Sequence, residues 1–253
     1  MQTLSQKIWI GTSNIVVPGN RNSFPLPYNL KSRLHYYSCL FNTVEINQTF
    51  YKLPRPATFE RWAGEVPGDF QFTLKLSKDI THAKDLKTDL AFIDTFLYAA
   101  ERLQHKKGCL LLQFPGKITL DYFNEVETIL EKITMADEGQ QWKKAVELRD
   151  RSWHTGETYE LLNSFNAALV VQDMPRSKIS EDHTAAPFVY IRFHGSMGDY
   201  RGGYTDDLLK TKAAEIIEYT IQGKEVYVYF NNTIGDAFNN ARTLIDIINN
   251  KLT

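Results

Sequence analysis

Glu45 and Asn47, Glu147 and Arg149, Arg192 and His194, and Tyr229 and Asn231 form pairs two residues apart, each pair near the end of an apolar run. On an extended strand, residues two apart share a face, so each pair presents its groups together. Lys75, Gln113 and Asp173 close three further runs. Carboxylates, guanidinia and an imidazole gathered at one end of several strands would bind an anion and exchange protons with it. Charge then divides the roles. Arginine stays protonated, so Arg149 and Arg192 are expected to clamp the anion. His194 belongs to the residue type that titrates near neutrality and is the candidate acid or base. Glu147, beside an arginine, is suited to orienting it, whereas Glu45 has no charged neighbour in its own strand and is the expected proton acceptor. Buried charges need partners, so Glu45 or Glu147 is expected to meet Arg149 or Arg192.

On the substrate side we place Asn47, Tyr51, Lys75, Gln113, Trp153, Asp173 and Asn231 with the two arginines. Each has a plainer reading. Polar interiors hold purely structural ion pairs, a strand-flanking lysine such as Lys75 often faces solvent, and Tyr51 and Trp153 are residue types that mostly pack. A Schiff-base role for Lys75 has no specific support. His82 lies in a polar stretch where a solvated histidine is the default. By the parity of Tyr229, Asn231 faces the pocket and Asn232 braces a loop before a helix expected near Thr233. Glu45, Glu147, Asp173 and His194 are acceptable ligands for a divalent metal. The interleaved arginines argue against a second cationic centre, so no cofactor is expected.

Eight short runs rich in Val, Ile, Leu, Phe or Tyr must position these groups: 8–12, 43–47, 70–76, 108–114, 144–148, 167–172, 188–194 and 225–230. Helical stripes separate most of them, the clearest running from Leu90 to Leu103, from Phe123 to Ile133 and from Ala237 to Ile248. The stretch from Asp173 to Pro187 carries no stripe and is expected to be a polar loop. Strand and helix alternating eight times predict an α/β fold, a single (β/α)8 TIM-barrel-like domain over residues 1–253 with a mostly parallel, closed barrel. No G-x-G-x-x-G or Walker loop follows any run, which disfavours an open doubly wound sheet.

The bulk numbers close off several partners. Lys plus Arg number 29 against 30 Asp plus Glu, a formal charge of −1, so no global field draws the chain to DNA or an anionic membrane. Cys39 and Cys109 stand apart without metal-ligand spacing and are expected to be buried small hydrophobes. Met1–Lys7 is polar with no signal-type apolar core, and no run reaches membrane-spanning length, so a cytoplasmic protein is expected.

Several ordered motifs carry a resemblance. They are G-T-S at 11–13, T-V-E-I-N-Q-T-F-Y at 43–51, T-H at 81–82, L-L-Q-F-P at 111–115, E-L-R-D-R-S-W at 147–153, Y-I-R-F-H-G at 190–195 and Y-F-N-N at 229–232. Over essentially its whole length the chain resembles the DUF72 (YecE-like) family. The resemblance implies a TIM-barrel-like fold and no established reaction. The family's first loop usually continues G-T-S-G-W before an aromatic-rich stretch. Here Asn14–Gly19 replaces it, so that loop's contacts are expected to differ.

Three functions compete on these residues. The first is an acid–base enzyme, a hydrolase or a lyase or isomerase, acting on a phosphate- or carboxylate-bearing small molecule at the C-terminal mouth of the barrel. The second is an endonuclease-type enzyme acting on phosphodiesters, which the net charge disfavours. The third is a non-catalytic metabolite-binding protein.

Overall fold

The structure is a computed structural model that describes residues 7–252. Of the polar N-terminal stretch, Met1–Gln6 lie outside the described residues. In chain order, β1 (Ile8–Thr12) leads to α1 (Arg33–Ser38) and β2 (Thr43–Ile46). The single-turn α2 (Gln48–Tyr51) and α3 (Pro56–Glu65) precede β3 (Gln71–Lys75). Next come α4 (Lys78–Thr81), α5 (Ala91–Ala100) and β4 (Lys107–Phe114). They are followed by α6 (Phe123–Ala136), β5 (Lys143–Leu148) and α7 (Gly156–Ser164). Two short strands, β6 (Ala168–Leu169) and β7 (Val171–Gln172), precede β8 (Phe188–Phe193), α8 (Asp206–Ile221), β9 (Glu225–Phe230) and α9 (Ala237–Leu252).

The fold is α/β with parallel sheets. One sheet has four strands in the order β1-β9-β8-β7 and the other five, β2-β3-β4-β5-β6. The pairings β1–β9, β9–β8 and β8–β7 are parallel, as are β3–β4, β4–β5 and β5–β6. This differs from one eight-stranded sheet closed on itself. The run expected as a single sixth strand breaks at Val170, leaving β6 paired with β5 and β7 paired with β8.

The chain divides into two compact units. The first takes the described residues up to Glu45, Val171–Asp182 and the chain from Pro187 onward. Its interior is aromatic: Tyr190, Tyr227 and Tyr229 are fully buried, and Phe193 stacks on Phe230 at 4.6 Å. Thr205 caps α8 by accepting from the Leu208 N–H, and Asp206 and Asp207 favour the positive end of the helix dipole. Gly11 of the G-T-S motif lies so close to the Thr43 carbonyl that a Cβ there would overlap it. The divergent first loop turns back on α1, with Phe24 buried against Tyr36 at 4.4 Å.

The second unit takes Ile46–Val170 and His183–Ala186. All of β4 is buried, and Leu110, Leu111 and Leu112 each contribute about 1.5–3 kcal/mol through the water they exclude. Lys106 is buried at the start of this strand, where its ammonium donates to the carbonyls of Ala63 (2.6 Å) and Val66 (2.7 Å) at the end of α3.

Three local expectations change. The Leu90–Leu103 stripe is helical only to Ala100 and continues as a tighter 3-10 turn over Glu101–Lys106. The last helix begins at Ala237, not near Thr233, because residues 233–236 form a turn in which the Gly235 N–H bonds the Asn232 carbonyl at 2.9 Å. Cys39 is exposed at the C-terminal cap of α1, although Cys109 is buried as expected. Among the described residues no helix is long and apolar enough to cross a membrane.

Candidate functional site

The predicted residues come together as two groups, one in each unit. In the first unit, β8 presents Tyr190 and Arg192 on one face, two residues apart, and both reach Glu45 of β2. The Arg192 Nε donates to Glu45 Oε2 at 2.9 Å and Nη2 to Oε1 at 2.8 Å, the bidentate fork that fits a carboxylate. Ser13 Oγ donates to Oε1 and the Tyr190 hydroxyl to Oε2, each at 2.6 Å. The Glu45 side chain is fully buried and Arg192 nearly so. Burial pushes the Glu45 carboxyl up, but the Arg192 charge and these hydrogen bonds outweigh it and hold the group below its ordinary range. Four donors already occupy this carboxylate, which makes it a poor proton acceptor and corrects the role expected from its own strand alone.

His194 continues the chain of contacts. Arginine can only donate, so the 3.1 Å contact from Arg192 Nη1 makes His194 Nε2 the acceptor. The ring proton then lies on Nδ1 and is donated to Asp173 Oδ1 at 3.1 Å, and the His194 backbone N–H reaches the same oxygen at 2.8 Å. The Tyr204 hydroxyl donates to Asp173 Oδ2 and accepts from the Gly195 N–H at 2.6 Å. Burial, and then the Asp173 charge, push the Tyr204 hydroxyl up, so it remains a donor. Asn231 is buried, with its backbone N–H on the Phe193 carbonyl at 2.7 Å. Asn232 braces the loop as expected: its Nδ2 donates to the Gly202 carbonyl (2.9 Å) and to Asn240 Oδ1 (3.0 Å).

In the second unit, parallel register aligns Lys75 with Leu111 and Gln113 with Glu147, so the polar ends of β3, β4 and β5 lie side by side. Lys75 Nζ donates to Gln113 Oε1 at 2.8 Å and sits 4.2 Å from the centre of the Phe50 ring. His82 packs edge-on against the same ring at 4.7 Å, and its Nδ1 lies 2.9 Å from Thr81 Oγ1. Glu147 is fully buried and pairs with Arg149, which keeps 13 % of its side chain exposed. Burial first, then the charges of Lys75, Lys117 and Arg149, lower His82 to about 4, with Glu147 pulling the other way.

Asn47 is half-buried at the start of α2 and makes no side-chain cap there, and Tyr51 is largely exposed. Trp153 is corrected. It is fully buried, stacked on Phe123, and its indole N–H donates to the Ile118 carbonyl at 2.8 Å, so it supports the loop and offers a ligand nothing. Among the described residues no three His, Cys, Asp or Glu side chains gather in a way that could hold a metal ion.

Sequence reasoning placed Ser13 only in the G-T-S motif at the end of the first run, missed roles for Tyr190, Tyr204 and Lys117, and treated His82 as solvated. The T-H and Y-I-R-F-H-G motifs contain signals for His82 and Tyr190. Tyr204 and Lys117 stand in loops, where no periodicity points to them.

Residues 9–253 match the family model described as "Protein of unknown function DUF72". The chain belongs to the DUF72 family. This DUF72 chain is 26% identical over 253 residues to the UPF0759 protein YunF of Bacillus subtilis (strain 168), covering 86% of this chain and 87% of that protein. A shorter match to the UPF0759 protein YecE of Escherichia coli (strain K12) is 34% identical over 83 residues, 33% of this chain and 30% of that one. Among solved structures, a DUF72 family protein from Thermotoga maritima MSB8 superposes with a TM-score of 0.74 at 27% identity, covering 96% of this chain and 99% of the other. One from Enterococcus faecalis V583 gives 0.78 at 21% identity, over 96% and 97%, a likeness of fold.

Proposed function

We propose that this protein is an acid–base enzyme acting on a small molecule that carries a phosphate or carboxylate, bound at the C-terminal ends of β3, β4 and β5. The supporting observation is the cationic field on His82, to which Lys75, Lys117 and Arg149 all contribute. Such a field favours an anion among the three cations. Burial, together with this field, keeps His82 neutral until the anion arrives. A bound phosphate or carboxylate offsets the three positive charges, raises the affinity of His82 for a proton, and brings it toward the pH at which general acid–base catalysis is efficient.

This reading moves two roles. The Arg192 guanidinium, committed to Glu45, no longer serves as an anion clamp, and proton exchange passes from Glu45 and His194 to His82. Glu147 keeps the role of orienting Arg149. Buried Glu45, Arg192 and His194, with half-buried Asp173 at their edge, form a scaffold that fixes the ends of β2, β7 and β8. The TIM-barrel-like reading of the fold belongs to the same proposal and rests on the repeated alternation of strand and helix.

Calorimetric titration with inorganic phosphate tests the proposal. Saturable binding, weakened in both Lys75→Ala and Arg149→Ala proteins, is the expected outcome. Absence of binding, or binding indifferent to both substitutions, would overturn it.

A further inference from the structure

Tyr51 closes the single-turn α2 and is 69 % exposed. From sequence alone its plainer reading is a packing residue, and this exposure removes that reading. Among the described residues its hydroxyl makes no hydrogen bond, and Phe50 is the one aromatic ring it meets. Exposure by itself would leave an ordinary surface side chain. The mounting of α2 gives it a place in the site instead. Thr49 is fully buried, and its hydroxyl reaches the carbonyls of Ile46 at 2.9 Å and Lys75 at 2.7 Å, which ties α2 to the ends of β2 and β3.

Phe50 then joins Tyr51 to the cationic cluster. The centre of its buried ring lies 5.0 Å from the Tyr51 ring, 4.2 Å from the Lys75 ammonium and 4.7 Å from the His82 imidazole. Tyr51 is therefore one ring away from both groups, all within the second unit. The Phe50 and Tyr51 planes stand at 88°. Whichever ring supplies the edge in such a pair, at least one face of Tyr51 stays uncovered by Phe50. A bare aromatic face beside an anion-binding cluster complements a ligand that joins a flat π-system to its charged group, because offset stacking adds to the area such a ring buries.

We propose that the anion taken by Lys75 and Arg149 is borne on an aromatic ring, and that this ring stacks on Tyr51. The inference rests on the anion-binding reading given above and adds the class of substrate, an aryl or heteroaryl phosphate or carboxylate. Lys75 and Arg149 hold the charged end, and Tyr51 selects what the charge is attached to. A saturated ring of the same size would bury similar area but could not stack.

Calorimetric titration of the full chain with phenyl phosphate, cyclohexyl phosphate and inorganic phosphate separates the class from the anion. Phenyl phosphate is expected to bind about fivefold more tightly than cyclohexyl phosphate. Tyr51→Phe should keep that preference, since the hydroxyl has no partner to lose. Tyr51→Ala should abolish it while changing the affinity for inorganic phosphate by less than about twofold. Both variants alter an exposed position, and their thermal unfolding reports folding directly. Phosphate binding without a preference for phenyl over cyclohexyl, or a preference that survives Tyr51→Ala, would overturn the aromatic class and leave the anion-binding reading standing. Failure of all three compounds to bind would overturn both.

Discussion

Arg192 grips Glu45 with two nearly parallel N–H···O bonds, 2.9 and 2.8 Å long, across 147 residues of chain, and neither side chain has appreciable contact with solvent. Removing one partner strands the other as an uncompensated buried charge. An Arg192→Met protein is therefore expected to lose about 3–5 kcal/mol of stability in urea unfolding. Arg192→Lys should recover only part of that loss, since an ammonium cannot reproduce the fork. Converting Glu45 to Gln in the Arg192→Met background should restore more than Lys does, by removing the stranded charge. A loss below about 1 kcal/mol for Arg192→Met would mean that the pair behaves like a surface ion pair.

His82 offers a direct reading of the cationic cluster. Its imidazole signals should titrate near 4 in the free protein. With saturating phosphate the midpoint should move upward toward the ordinary histidine range, as the anion offsets Lys75, Lys117 and Arg149. In the Arg149→Ala protein the midpoint without phosphate should already be higher. A midpoint that phosphate does not move would separate His82 from the anion.

The same depressed value makes a stability prediction. Between the ordinary histidine value of 6.5 and about 4, an unfolded chain holds a proton on His82 that the folded chain refuses. The unfolded state is thus favoured as pH falls through that window, and stability rises as pH climbs back. His82→Gln should flatten the pH dependence of urea unfolding between pH 4 and 6.5, when wild type and variant are compared point by point. Carboxylates such as Glu45 contribute to both proteins alike and cancel in the difference.

Asn231 and Asn232 should behave oppositely. Asn232 is fully buried and ties the Gly202 carbonyl to Asn240, so Asn232→Ala is expected to cost about 1–3 kcal/mol by leaving those acceptors unsatisfied. For Asn231 the backbone N–H makes the bond to Phe193, and it survives substitution. Asn231→Ala should therefore lower the melting temperature much less. Equal losses would show that both amides brace the loop.

Much of the strand framework was legible because burial imposes a period. The run around Leu110–Leu112 and the alternation of Tyr190, Arg192 and His194 could hardly have been read another way. Partnership was less legible. Glu45 seemed to stand alone because a strand shows only its own neighbours, and its three side-chain partners come from Ser13, Tyr190 and Arg192, far away in sequence. Trp153 looked available to a ligand because a sequence records the indole and not the Ile118 carbonyl that occupies it. The single-turn helices α2 and α4 are too short for any period to emerge. The break at Val170 leaves no composition signal, since Val, Ala and Leu suit either strand.

The first unit is assembled from stretches that the ribosome delivers far apart in time. Glu45 is made early, and its cation follows 147 residues later. At elongation rates of about 5–20 residues per second the interval is roughly 7–30 s. Throughout it, a carboxylate destined for complete burial has no counter-charge, so the β1–β2 segment has every electrostatic reason to stay hydrated. Ile46–Val170, in contrast, is synthesised almost without interruption as the body of the second unit. The nascent chain should therefore acquire protease resistance in its middle before its beginning, with the N-terminal segment sealed only after β8 has cleared the exit tunnel.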